Sequence, residues 1–117
     1  MTQQESLGAG LRGPFDLAAD TIEEELVENC PGAYALGFID NLGRFSITFV
    51  GSDGSDLKSI LKQRIGTASQ FKFRHFAQPQ QAFEKECEMF HQFMPVGNFL
   101  HPARPAGTDW TCPRCRR

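Results

Sequence analysis

Phe15, Ala18, Ala19, Ile22 and Leu26 recur at helical spacing, with Pro14 suited to a first turn and Asn29 and Pro31 as stops. The pattern predicts an amphipathic helix over 14–29 with an acidic outer face. Ahead of it, residues 1–13 are rich in Gly, Gln and Ser with no apolar period, which predicts a disordered leader. The β-rich runs Gly32 to Ile39 and Phe45 to Val50 flank the turn-rich Asp40-Asn41-Leu42-Gly43, an antiparallel pair. After the turn at Gly51 to Asp56, Leu57, Ile60, Leu61 and Ile65 mark a short helix, capped by Ser55 or Asp56 and ended by Gly66.

Phe71 to Phe76 alternates as a third strand, with Lys72 and Arg74 opposite Phe71 and Phe73. Pro79 opens a longer helix to about Met94, and beyond Pro95 the chain is Pro/Gly-rich and irregular. These elements give an α/β (α+β) domain, a small three-stranded antiparallel sheet flanked by helices, spanning residues 30–98. Residues 99–117 form a tail.

Composition narrows the setting. The 117 residues, 40% hydrophobic with 11 Phe, suit one domain with an ordinary buried core. No apolar run approaches the roughly 20 residues of a bilayer span, and the first residues lack a signal-peptide pattern, so a cytoplasmic protein with no membrane partner is expected. Reduced thiols follow from that setting, which makes metal ligation or burial the expected use of the four cysteines. Charge is divided: residues 1–29 hold seven acids against Arg12 alone, while the remainder holds eleven Lys/Arg against seven acids. An anionic partner suits that basic body, and the acidic segment could lie over it as a screen.

At about 100° per residue, Phe83, Cys87, Phe90 and Met94 form a narrow apolar stripe on the long helix, and Glu86 falls beside it. A carboxylate so placed needs a cation, a metal or hydrogen-bond donors, which makes Glu86 a candidate divalent-metal ligand or a structural ion-pair partner. Cys87 and His91 lie one turn apart, and Cys112-Pro-Arg-Cys115 supplies a CxxC knuckle. Together they make a four-ligand structural zinc site in which His101 or Cys30 could replace a member. The alternative is that Cys87 is simply core. Gly51-Ser52-Asp53-Gly54-Ser55 before a helix is a weak phosphate-contact signal. Lys58, Lys62, Arg64, Lys72, Arg74 and His75 concentrate positive charge where a nucleic-acid backbone could lie, or form a solvated face.

The order strand, strand, helix, strand, helix, with Gly32-Ala33-Tyr34 and Phe49-Val50-Gly51 in the first two strands, resembles the GIY-YIG nuclease superfamily over about residues 30–98. The segment Ala82 to Cys87 is similar to that family's helix bearing the metal-binding glutamate, and Asn98 sits where a family asparagine often follows. The resemblance implies a sheet presenting two tyrosines, an arginine and a glutamate to DNA with one divalent metal, Mg²⁺ or Mn²⁺. By position these are Tyr34, Phe49 in place of the second tyrosine, Ile60 in place of the arginine, and Glu86. Arg64, one turn beyond Ile60, is the candidate substitute cation. Phe49 has no hydroxyl to relay a proton, so the usual base is missing. The tail from His101 to Cys115 looks like the end found on a bacterial subgroup of short, divergent members.

The expectation is therefore a GIY-YIG-like nucleic-acid-binding or interaction module with lost or weakened nuclease activity. Lys58, Lys62, Lys72, Arg74 and Asn98 would be its nucleic-acid contacts. The alternatives are an active metal-dependent endonuclease using Tyr34, Glu86 and Arg64, and a protein-interaction domain with a zinc-pinned tail.

Overall fold

The structure, a computed structural model, describes residues 10–98 and 100–115. Four strands, β1 (Arg12–Asp16), β2 (Gly32–Ile39), β3 (Phe45–Asp53) and β4 (Gln70–His75), form one antiparallel sheet in the order β1-β4-β2-β3. Among the described residues three helices accompany it: α1 (Ala19–Glu25), α2 (Leu57–Gln63) and α3 (Pro79–Phe93). The architecture is α+β.

The extra strand corrects the reading of residues 14–29 as one helix. Phe15 pairs with Phe71 across the sheet rather than facing a helix neighbour, and α1 starts only after the extended Ala18. Pro14 is tolerated because β1 is an edge strand, where a missing N–H costs no inner ladder bond. The expected leader gives way in the same manner: Leu11 is buried and Arg12 and Gly13 belong to β1, while residues 1–9 lie outside the described part.

The β2–β3 hairpin follows the pattern of its residues. Asp40 accepts N–H bonds from Leu42 and Arg44 through Oδ1, and Gly43 takes the positive φ that closes the turn. A bulge between Leu36 and Gly37 brings the strands so close that a Cβ at Gly37 would lie 2.0 Å from the Ser46 carbonyl oxygen.

Alternation along the sheet sorts the core into two layers. Tyr34, Leu36, Phe71 and Phe73 face α1 and α2, meeting Ile22, Leu26, Leu57 and Leu61. Each fully buried side chain there contributes roughly 1.5–3 kcal/mol. Ala33, Ala35 and Val50 point the other way and receive Met89 of α3. On its far side α3 packs Phe83 and Cys87 against Cys112 and Trp110 of the tail, which has neither helix nor strand over 100–115. This helix is thus covered from two directions, which a single stripe did not anticipate. Met94, expected on that stripe, is instead the left-handed C-cap and is exposed.

Candidate functional site

Tyr34 projects from the middle of β2 over Gly51, its partner across the hairpin. The glycine is required there, since an added Cβ would stand 2.5 Å from the Tyr34 hydroxyl oxygen. Arg64, at the end of α2, donates from Nε to that oxygen at 3.1 Å, and its guanidinium carbon lies 5.6 Å from the centre of the Phe49 ring. Tyr34 and Phe49 pack with centroids 6.3 Å apart. Three positions singled out in the sequence therefore come together. Ile60 packs at the margin of the core beneath them and takes no part in this contact.

Burial pushes the Tyr34 phenol above its ordinary value, although Arg64 pulls it down, so the hydroxyl stays protonated at neutral pH. Arg64 and Phe49 also line an open cavity of about 300 Å³ with Leu36, Thr48 and Val96.

Glu86 of α3 occupies a different cavity, of about 310 Å³, beside Ser52, Phe83 and Trp110. The Ser52 hydroxyl donates to its Oε1 at 2.6 Å. Burial raises the Glu86 carboxyl to about 7, against the lowering effects of Ser52 and His101. Ser52 pairs with Ala33 and shares its face of the sheet, whereas Gly51 and Tyr34 belong to the opposite face. The glutamate thus lines a different cavity from Arg64 and Phe49, yet it lies near enough to Tyr34 for its charge to add to the upward push on the phenol.

The densest chemistry lies farther along α3. The donor atoms of His91, His101, Cys112 and Cys115 all fall within 4.8 Å of one another, a set that could hold a metal ion. His101 Nε2 is 3.2 Å from His91 Nε2 and 3.3 Å from Cys115 Sγ. Tetrahedral ligation by imidazole and thiolate sets such donors about 3.3–3.8 Å apart. His101 Nδ1 lies 2.9 Å from the Pro102 carbonyl oxygen, so its proton belongs there and Nε2 is left as the ligand atom.

The set differs from the expected one by a single exchange: His101 takes the place of Cys87, and Cys30 lies elsewhere, near the Phe76 carbonyl. Burial pushes the Cys87 thiol up, with a further push from its hydrogen bond to Cys112. It stays protonated beside Cys112. At Cys112 burial also acts to raise the thiol, but the N–H groups of Cys115 and Arg114, together with His101 and Cys115, outweigh it and hold it at about 6. That is the condition of a ready thiolate.

The proposed phosphate contacts fare unevenly. Lys58 is almost fully buried and binds Glu23 at 2.8 Å, with Glu28 at 3.7 Å, and Lys62 pairs with Glu23 as well. The acidic stretch does lie over α2. Lys72, expected on the face opposite Phe71 and Phe73 as a nucleic-acid contact or part of a solvated face, is only 3% exposed, because the Phe45 ring and the backbone near Gly13 cover it. Asn98 is half-buried and its side chain is engaged with the backbone: it accepts from Val50 N at 2.9 Å and donates to Val50 O at 3.0 Å, closing part of the β3 edge. Arg74 remains exposed over Phe76. His75 accepts from Val27 N through Nε2 and lies against the Pro31 carbonyl through Nδ1.

No protein-family model, curated protein or solved structure matches the chain. Among the described residues, no helix is long and apolar enough to cross a membrane.

Proposed function

We propose that the chain is a nucleic-acid-binding module on a GIY-YIG-like frame, without cleavage chemistry, whose C-terminal tail is pinned by a structural Zn²⁺. The observation that carries the binding reading is the pairing of Arg64 with Phe49 on an open cavity of about 300 Å³. An aromatic face offers a stacking surface to an unpaired base, and a guanidinium beside it offers charge and donors to phosphate. Loss of cleavage rests on the missing hydroxyl at Phe49 and on Tyr34, whose protonated hydroxyl accepts from Arg64.

The zinc reading rests on donor chemistry. Two thiolates and two imidazoles are the borderline-soft set that Zn²⁺ prefers, and four protein ligands leave no open position for a reacting water. The role is structural.

Two measurements test the proposal. Fluorescence polarisation with labelled single-stranded DNA across a salt series should show salt-dependent binding that weakens about tenfold on Arg64→Ala or Phe49→Ala. Unchanged affinity in both variants would remove this cavity from the reading. Incubation with plasmid and branched DNA in Mg²⁺ or Mn²⁺ should give no nicking. Nicking that disappears in Glu86→Ala would establish an active endonuclease with a divalent ion at Glu86 instead.

A further inference from the structure

The tail does more than pack on α3. Between His101 and Cys112 it runs without helix or strand, and Ala103, Pro105 and Trp110 from this stretch form one wall of the cavity that holds Glu86. Ser52 and Phe83 belong to the opposite wall. Thr108 turns the segment locally by donating from both N and Oγ1 to the Pro105 carbonyl. Trp110 reaches the body through Phe83, with ring centroids 5.9 Å apart. The two ends of the segment, His101 and Cys112, are both members of the four-donor cluster.

We infer that metal binding at His91, His101, Cys112 and Cys115 is the latch that builds the wall of the Glu86 cavity, so that metal occupancy decides whether Glu86 is enclosed or open to solvent. This rests on the zinc reading above and adds a regulatory consequence to it. Holding His101 and Cys112 on one ion closes the intervening ten-residue loop and removes most of its freedom before Trp110 meets Phe83. Without the ion, the small seam of Cys112 and Trp110 against Phe83 and Cys87 and one local turn must order the whole segment, and the conformational cost of fixing ten residues exceeds what they return. The metal and the carboxylate thereby become coupled without touching.

Trp110 is the only tryptophan in the chain and reports on this wall directly. The full-length protein is stripped with a chelator and retitrated. Co²⁺ absorption reports occupancy, Zn²⁺ titration followed by acrylamide quenching reports Trp110, and hydrogen exchange compares residues 102–111 with β2 and β3. The expected result is tetrahedral thiolate–Co²⁺ bands at one ion per chain. Zn²⁺ should lower the Trp110 quenching constant about threefold and slow exchange in 102–111 while β2 and β3 stay protected with or without metal. Tetrahedral bands with unchanged Trp110 quenching would overturn the latch and leave the metal site standing. Absence of the bands would overturn the metal site, and the latch with it. Equal loss of protection in β2 and β3 on metal removal would also overturn the latch, since the ion would then hold the whole fold.

Discussion

Replacing Glu86 by Gln should make the protein more stable at neutral pH and leave it unchanged in mild acid. In the fold, burial raises the Glu86 carboxyl from 4.5 to about 7. Between those values the native state binds the proton and the unfolded chain does not, so wild-type stability falls as pH rises through the window. The stabilising effect of the neutral carboxyl is complete below about pH 4.5 and lost above about pH 7, and the rise is worth about 3 kcal/mol. Gln fits the same space, never ionises, and its carbonyl oxygen can still accept from Ser52. Urea unfolding of both proteins in the same zinc-containing buffers at about pH 4.5, 6 and 8 would measure this, with contributions from the Cys and His cluster cancelling in the difference. The variant should match wild type at the lowest pH and exceed it by about 3 kcal/mol at the highest. A difference that does not change with pH would refute the claim that this carboxylate is desolvated.

Three further outcomes follow from single contacts. Gly51→Ala drives a methyl against the immobile Tyr34 ring and should cost about 1–3 kcal/mol in urea unfolding, where an unchanged midpoint would show that the ring has room to move. Asn98→Ala removes two hydrogen bonds to Val50; a loss of about 1–2 kcal/mol and faster exchange of the Val50 amide are expected, and an unaltered exchange rate would mean the edge is held by other contacts. Glu23→Gln releases Lys62 and leaves Lys58 with Glu28, so single-stranded DNA should bind more tightly at low salt, with a log–log salt slope steeper by about one; an identical slope would place the DNA away from α2.

Much of the frame could be read from local pattern because local physics decides it. The hairpin declares itself through β-rich runs around an Asp-Asn-Leu-Gly turn, and α3 through Pro79 at its first position and a Gln81 side chain that accepts from Gln78 N. Residues 14–29 misled for an equally physical reason. Phe15, Ile22 and Leu26 all belong to one core layer, but Phe15 reaches it from an edge strand and the other two from the helix region, so a shared destination imitated a helical period. Lys72 misled because alternation predicts which face a residue takes, not whether a ring from another strand, here Phe45, covers it there.

The metal cluster marks the boundary between what spacing and what topology can decide. Cysteine and histidine count, with the CxxC, names the chemistry, and the i, i+4 relation of Cys87 and His91 makes both look like ligands. Yet α3 sits between the sheet and the tail, so a residue one turn back from His91 points into the packed seam of Phe83 and Cys112, beside the four-donor cluster rather than within it. Cys87 is therefore fully buried, and a small thiol there fills the seam. The vacated role goes to His101, in the irregular run after the helix, oriented by its bond to the Pro102 carbonyl. Because that histidine begins the loop that walls in Glu86, a metal held by these four donors would be joined to the carboxylate through the loop, whereas a Cys87 ligand in place of His101 would leave the stretch from His101 to Trp110 free at one end.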